Sequence, residues 1–224
     1  MRRSALIPAF NEAGTIQSVL HGLRVSMPDL HVLVIDDGSQ DATFDVARSE
    51  GAEVLRRDNG GYASALLAGY RLLIDRGVDQ VLQMDADGQH PVSESRRMFE
   101  SLSEANWVVG SREGSKSPGA WTRKLGNAAL SRVVNQVADL QLRDVTSGFW
   151  ALDRKALAVF AERFPGDVAD ANVRILGARA GLIIREIPVE MECREVGESM
   201  HDGWAGISNL GRTVRAVWRE SRVY

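Results

Sequence analysis

Two carboxylates that follow an apolar run are the residues in this sequence best suited to chemistry. Asp85 and Asp87 stand one residue apart directly after the run 81–84, and Gln89 follows. The run predicts a buried strand, and ligands of open α/β sheets collect at the carboxyl ends of strands. In extended chain, alternate residues point the same way, so the three side chains could present oxygens to one point. Such oxygens suit a hard divalent cation. A polar turn after the strand would also explain two isolated acidic residues.

The same arrangement occurs earlier in the chain. Asp36 and Asp37 follow the apolar run 32–35, and Asn11 and Glu12 follow the run 4–10. The sequence lacks the G-x-G-x-x-G fingerprint of dinucleotide-binding folds, and it has no G-x-x-x-x-G-K-[ST] loop. A phosphate-containing ligand would therefore need another device, and a divalent metal held by Asp85 and Asp87 is the obvious candidate.

The elements that must position these residues alternate along the chain. Apolar runs predict strands at 4–10, 31–35, 52–55, 81–84, 107–110 and 183–189, and 144–152 predicts a turn that leads into a strand. Helical spacing predicts helices after 11–15, near 44–47, and at 62–74, 98–102, 121–140, 154–164 and about 168–180. This alternation predicts an α/β fold with a mostly parallel sheet and helices on both faces.

Length and composition favour one soluble domain. The 224 residues fit a single domain, 1–224, in which 205–224 form a C-terminal amphipathic helix. That helix either lies on a membrane surface or docks on its own domain. A net charge of −3 gives no indication of a nucleic-acid partner. The single cysteine, Cys193, suits a reducing compartment. With no apolar run near the ~20 residues of a membrane span, we expect a cytoplasmic protein that touches a membrane at most peripherally, at its inner face.

Five motifs in order resemble the family 2 glycosyltransferases of the GT-A fold. The segments are I-P-A-F-N-E at 7–12, V-I-D-D-G-S-Q-D-A-T at 34–43, M-D-A-D-G-Q-H-P at 84–91, V-G-S-R at 109–112 and D-V-T-S-G-F-W-A-L at 144–152. They are most similar to those of the dolichyl- or polyprenyl-phosphate mannose synthase branch, and the loop 194–199 agrees with that branch. The resemblance implies a Rossmann-like nucleotide-diphospho-sugar transferase domain.

The resemblance also implies roles for individual residues. The nucleoside-diphosphate sugar donor would be bound by Pro8, Phe10, Glu12, Ile35, Asp37, Asp85, Ala86, Arg123 and Arg194. The metal, Mg²⁺ or Mn²⁺, would be bound by Asp85, Asp87 and Gln89. The catalytic residues would be Asp87, Arg112 and Asp144, and the acceptor would meet Ser147 and Asp170. The implied reaction moves a sugar, with mannose favoured, to a polyprenyl phosphate with inversion.

Two departures from the family pattern leave alternatives open. The C-terminal loop continues from Ser199 into Met200 and His201, where many relatives have lysine, and the turn 59–61 lacks a lysine as well. A soluble hydroxyl or amine acceptor is therefore the alternative, and it would require a general base, for which Asp144 and Asp170 are the candidates. A nucleotidyltransferase and a non-catalytic nucleotide-binding module are the remaining hypotheses.

Overall fold

The computed structural model describes residues 1–112, 120–167 and 169–191, and of residues 120–126 the backbone alone. The strands are β1 (Arg3–Ala9), β2 (His31–Asp36), β3 (Glu53–Arg56), β4 (Gln80–Gln83), β5 (Trp107–Ser111), β6 (Trp150–Asp153) and β7 (Ile184–Pro188). The helices are α1 (Ile16–Ser26), α2 (Thr43–Ser49), α3 (Tyr62–Asp75), α4 (Ser95–Glu100), α5 (Ala120–Ala138), α6 (Arg154–Arg163) and α7 (Asn172–Arg179).

The strands form a seven-stranded sheet in the order β3-β2-β1-β4-β6-β5-β7. Neighbouring strands are parallel except where β6 lies between β4 and β5, and β6 is antiparallel to both. The predicted mostly parallel α/β sheet is therefore confirmed, with one reversed strand that the sequence pattern did not reveal.

Alternation along the strands feeds two apolar cores, one on each face of the sheet. On β1, Ala5 and Ile7 face the core formed with α1, α2 and α4, and Leu6 between them faces α3 and α6. Because a parallel sheet is covered on both faces, its strands are continuous apolar runs rather than alternating ones. A smaller core joins α5 to α7 and includes Leu142 and Val145, so it packs the loop that precedes β6.

One of the two helices predicted near the C-terminus starts later than expected, and the other lies outside the described residues. The helix predicted from about 168 begins instead at Asn172, because the Asn172 side chain accepts a hydrogen bond from the Asp170 N–H at 2.9 Å. Such a side-chain bond to the preceding backbone favours a turn over helix. The predicted helix at 205–224 lies outside the described residues. Within the described ranges, no helix is both long enough and apolar enough to cross a membrane.

Two helix-interior glycines should respond oppositely to alanine. A Cβ on Gly177 of α7 would lie 2.9 Å from the ring of Trp107, which is fully buried and cannot withdraw. We expect Gly177→Ala to lower the free energy of unfolding by about 1–3 kcal/mol. A Cβ on Gly22 of α1 would meet Val92 at an ordinary 3.4 Å. Gly22→Ala should therefore raise stability by up to about 1 kcal/mol through helix propensity. Urea unfolding of both variants checks this, and a stabilised Gly177→Ala would contradict it.

Candidate active site

Four strand ends and one strand start meet at one edge of the sheet. Ala9 of β1 pairs with Asp36 of β2, and the parallel β4 ends nearby at Gln83. Because β6 runs the opposite way, its first residue, Trp150, pairs with Gln83 and with Val109 near the end of β5. The topology thus brings to this edge the predicted site residues of segments 8–12, 35–37, 85–89, 112 and 144–147.

The loops after β1 and β2 are bonded to each other. Asn11 adopts a left-handed φ of 56°, a conformation that asparagine tolerates better than most residues. Its N–H donates to Ser39 Oγ at 3.0 Å, and its Oδ1 accepts from the Gln40 N–H at 2.8 Å. The Glu12 N–H donates to Thr43 Oγ1 at 2.8 Å. The two loops that carry predicted donor-binding residues therefore form one unit.

The carboxylate of Asp37 accepts hydrogen bonds from the turn before α3 and holds that turn in place. Its carboxylate accepts hydrogen bonds from the N–H groups of Gly60 and Gly61, at 3.1 and 2.7 Å, and Arg57 Nε lies 3.2 Å away. A carboxylate has about four lone-pair positions, so about one remains unused on Asp37, whose side chain is 5% exposed. Asp36, fully buried, accepts from the Ser39 N–H at 3.0 Å and orients the same loop.

The four apolar residues predicted to bind the donor differ in exposure. Phe10 is 46% exposed, which suits a wall for a ligand. Pro8 and Ala86 are buried. Ile35 is fully buried in the core beside α3, because β2 is an interior strand covered on both faces. The Ile35 side chain therefore packs in the core, and donor binding by Ile35 stays a prediction.

A polar cavity of about 760 Å³ opens beside Asp37, between the loops that follow β2 and β3. Its size falls within the range of small-molecule sites. Two guanidinium groups, those of Arg56 and Arg57, contribute positive charge to it. Its lining residues are Gly38, Ser39, Gln40, Arg56, Arg57, Asp58 and Asn59.

The acids after β4 lie on a turn rather than on extended chain. β4 ends at Gln83, and the following turn places Gly88 at a φ of 77°. The argument that alternation alone would converge Asp85, Asp87 and Gln89 is therefore wrong. The turn nevertheless keeps all three residues at the sheet edge and half-buried, and the Gln89 N–H donates to Asp87 Oδ1 at 3.0 Å.

Sequence reasoning missed three residues that surround Asp85. The Tyr62 hydroxyl donates to Asp85 Oδ1 at 3.0 Å, and burial together with the charge of Asp85 raises the pKa of Tyr62 well above its usual 10. The Asp85 N–H donates to His90 Nδ1 at 2.8 Å, while His90 stacks on Phe149. Gln83, fully buried, donates to Tyr62. His90 stands inside the 84–91 motif, but no sequence signal connects Tyr62 with Asp85.

Arg112, directly after β5, and Asp144, in the loop before β6, form a bidentate ion pair. Arg112 Nε and Nη2 each lie 2.7 Å from a different oxygen of Asp144. Asn127 Nδ2 also donates to Asp144, at 3.1 Å. Glu186 on β7 accepts from the Asp144 N–H at 2.7 Å and so fixes the backbone. The Arg112 side chain remains 42% exposed, so it can meet a ligand anion.

These contacts change the chemistry of Asp144. Burial alone would raise its pKa, but the hydrogen bonds and charge of Arg112, with the N–H groups of Arg112 and Thr146, outweigh burial and lower the pKa to about 2. A carboxylate with so low a pKa is a weak base. The geometry therefore favours Asp144 as the residue that orients Arg112 over Asp144 as a general base.

The predicted acceptor residues fare differently. Ser147 is buried, and its hydroxyl donates to the Gly110 carbonyl at 2.5 Å, which fastens the loop before β6 to β5. Contact between Ser147 and an acceptor stays a prediction. Asp170 is half-buried before α7 and accepts from the Ala171 N–H at 2.9 Å. The side chain of Arg123, and Arg194 with its loop, lie outside the described residues.

The oxygen atoms of Asp85, Asp87 and Gln89 suit a cation whose coordination shell is completed by a substrate. Among the described residues, no three His, Cys, Asp or Glu side chains are grouped to hold a metal ion. Mg²⁺ commonly takes one or two carboxylates and completes its shell with water and substrate phosphates. Two carboxylates and an amide oxygen at a sheet edge fit that pattern.

A model of the family described as Glycosyl transferase family 2 matches residues 4–160. The chain belongs to glycosyl transferase family 2. It is therefore a glycosyltransferase enzyme, and this excludes the hypotheses of a nucleotidyltransferase and of a non-catalytic module.

Relatives in family 2 match over most of their length. The undecaprenyl-phosphate mannosyltransferase of Micrococcus luteus is 34% identical over 218 residues, which cover 91% of this chain and 88% of that protein. The polyprenol monophosphomannose synthase of Mycolicibacterium smegmatis is 26% identical over 216 residues, covering 90% and 82%. The resemblance to the polyprenyl-phosphate mannose synthase branch is thereby confirmed.

Solved structures confirm the GT-A fold of this family 2 member. Glucosyl-3-phosphoglycerate synthase from Mycobacterium tuberculosis, crystallised with Mn²⁺, UDP and phosphoglyceric acid, superimposes with a TM-score of 0.73 at 20% identity, covering 100% of this chain and 79% of that one. Mannosyl-3-phosphoglycerate synthase from Rubrobacter xylanophilus gives a TM-score of 0.70 at 20% identity, covering 99% and 74%. At this identity the likeness concerns the fold.

Replacing Asp144 by Asn should make the free energy of unfolding vary less with pH in the acid range. The folded pKa of about 2 lies below the unfolded value of 3.8, so the ionised form is favoured by folding. Its contribution, about 2 kcal/mol, is complete above the unfolded pKa and is lost as pH falls through the folded one. We expect Asp144→Asn to be less stable by about that amount at pH 7. The difference from wild type should shrink between about pH 5 and pH 2.

Urea unfolding at a series of pH values measures this difference. Asp75→Asn, at the exposed end of α3, is the matched control. An Asp144→Asn deficit that stays constant down to pH 2 would show that the charge of Asp144 is not its source.

Proposed function

We propose that this chain is an inverting, metal-dependent glycosyltransferase that moves a sugar, mannose favoured, from a nucleoside-diphosphate sugar to a polyprenyl phosphate. The observation that carries the proposal is the meeting, at one sheet edge, of the polar cavity, the Asp85 and Asp87 carboxylates and the Arg112–Asp144 pair. The names of the Micrococcus luteus and Mycolicibacterium smegmatis relatives supply the acceptor class and the sugar.

The donor nucleotide is assigned to the cavity between the β2 and β3 loops. Phe10, in the β1 loop that is bonded to the β2 loop, offers an exposed aromatic face, and about one lone-pair position of Asp37 remains for a ribose hydroxyl or a base N–H. Arg56 and Arg57 add positive charge to the cavity wall. Glu12, fixed through its N–H to Thr43, belongs to the same bonded unit.

Asp85, Asp87 and Gln89 would hold a Mg²⁺ or Mn²⁺ ion beside the donor diphosphate. When bound, such an ion neutralises the negative charge that develops on the leaving nucleoside diphosphate. Arg112 would stabilise the same charge from the protein side, as a cation beside the diphosphate. Asp144 bonds Nε and Nη2 of Arg112 and so holds the guanidinium in place there.

A phosphate acceptor suits the low basicity of the site. The acceptor phosphate is already an anion, so it forms a bond to the anomeric carbon as the carbon–oxygen bond to the diphosphate breaks, without a general base. A hydroxyl acceptor would need a base, and a pKa of about 2 makes Asp144 a poor one. A polyprenyl chain resides in the bilayer, so we place the enzyme in the cytoplasm at the inner membrane face.

Nucleotide binding should require both the metal and Asp87. We expect one nucleoside diphosphate, GDP or UDP, to raise the thermal midpoint of the protein in the presence of Mn²⁺. At ~100-fold the dissociation constant the gain is about 2.7 kcal/mol. Asp87→Ala should lose that shift, and Asp75→Ala, at the far end of α3, should keep it. A midpoint that no nucleoside diphosphate moves, with or without Mn²⁺, would contradict the proposal.

The acceptor is tested by transfer itself. With the donor so identified, its radiolabelled sugar should appear on polyprenyl phosphate and not on the matching polyprenol, and NMR of the product should show the inverted anomer. Asp170→Asn should leave this transfer within about threefold of wild type, because a phosphate acceptor needs no base. Transfer to a soluble hydroxyl compound that Asp170→Asn abolishes would establish the alternative acceptor instead.

A further inference from the structure

A buried hydrogen-bond chain runs beneath the sheet edge and ends on Asp85. Tyr70 and Gln83 are both fully buried, and the Tyr70 hydroxyl donates to Gln83 Oε1. Gln83 Nε2 lies 3.3 Å from the Tyr62 hydroxyl and 3.0 Å from the Gly148 carbonyl. The Tyr62 hydroxyl lies 3.0 Å from Asp85 Oδ1. The chain therefore links α3, β4 and the loop before β6 to one carboxylate.

The Gly148 carbonyl sets the direction in which the hydrogen bonds of this network run. The Gly148 carbonyl can only accept, so the group of Gln83 that faces it must be the NH₂. The same NH₂ donates to the Tyr62 oxygen, which leaves the Tyr62 proton for Asp85. Each member thus donates toward the carboxylate, and Asp85 Oδ1 receives a hydrogen bond from a side chain whose own orientation is determined.

The second oxygen of Asp85 receives no hydrogen bond from the residues that the structure describes. His90 Nε2 is 3.6 Å from Oδ2, which is beyond hydrogen-bond distance, and the Asp85 side chain is 32% exposed. Gly148 lies on the same side: a Cβ there would approach Oδ2 to 3.3 Å and the Tyr62 hydroxyl to 3.1 Å. The glycine therefore leaves the space around Oδ2 open while the oxygen opposite is held.

We propose that Tyr62 is a positioning residue that holds Asp85 Oδ1 and thereby presents Oδ2 to the divalent cation. The inference rests on the proposed function, because it concerns the cation that Asp85 and Asp87 would bind. Residues that hydrogen-bond to metal-ligating carboxylates orient them, and their loss typically costs ~10–100-fold in metal affinity. Tyr62 would act on the ion only through Asp85.

The test measures Mn²⁺ affinity directly rather than turnover. Free Mn²⁺ is quantified by electron paramagnetic resonance in solutions of the full chain with GDP, and with UDP in parallel. Tyr62→Phe should raise the Mn²⁺ dissociation constant about tenfold or more. Tyr70→Phe is the matched control, since it also removes one hydroxyl of the chain but not the bond to Asp85. It should stay within about twofold of wild type.

A double-mutant cycle separates positioning from general packing. Asp85→Asn weakens Mn²⁺ binding by itself, and in that background Tyr62→Phe should add less than about twofold. Urea midpoints of all variants, measured without metal or nucleotide, report packing. Equal losses of Mn²⁺ affinity in both backgrounds, or in Tyr62→Phe and Tyr70→Phe alike, would overturn the inference.

The failure of the inference and the failure of the proposed function give different results. If wild type binds Mn²⁺ with a nucleotide and Tyr62→Phe binds it equally well, Tyr62 does not position Asp85 and the proposed function stands. If wild type binds no Mn²⁺ with any nucleoside diphosphate, the proposed function fails and this inference fails with it.

Discussion

The reversed strand β6 is the constraint on which the site depends. It lies between β4 and β5 and runs against both, so the loop before it arrives where those two strands end. A parallel strand in that place would deliver the loop to the opposite edge of the sheet. The reversal sets Asp144 beside Arg112, and it sets Gly148 against Asp85 and Tyr62. Segments about 60 residues apart in sequence become one site through the direction of a four-residue strand.

Beneath this edge, the buried positive charge of Arg174 opposes the negative charges of Asp144 and Asp170. Arg174 is fully buried, with its guanidinium 4.7 Å from the ring of Trp107 and 4.6 Å from that of Trp150. Burial lowers its pKa to about 10 against the opposing effect of Asp144 and Asp170, so it stays protonated near neutral pH. Its Nη2 donates to the Ser147 carbonyl at 2.6 Å, while Nε and Nη1 have no hydrogen-bond partner among the residues that the structure describes. The two indole faces partly compensate for those missing bonds.

The sequence predicted the elements better than their relations. Every predicted strand is present, because apolar runs and their turn signals are local. The direction of β6 is not local, and neither is the bond from Tyr62 to Asp85, which spans 23 residues. For the same reason Ser147 looked free in its motif, although the fold commits its hydroxyl to Gly110. Ile35 illustrates the reverse case: its place in a motif suggested a ligand contact, but its apolar run already indicated burial.

The ties between strand ends make the site ready before a ligand arrives. Asn11 joins the β1 loop to the β2 loop, Asp37 joins β2 to the turn before α3, Tyr62 joins α3 to the β4 acids, and Glu186 joins β7 to Asp144. Each tie uses a charged or amide oxygen that would otherwise need reorganisation when the proposed donor binds. Stabilising a developing charge costs least when the dipoles already point at it, so these ties reduce the free energy that binding must supply. Among the acids of this site, Asp144 has a pKa of about 2 and is therefore a weak base, so the site suits the proposed acceptor, which is already ionised.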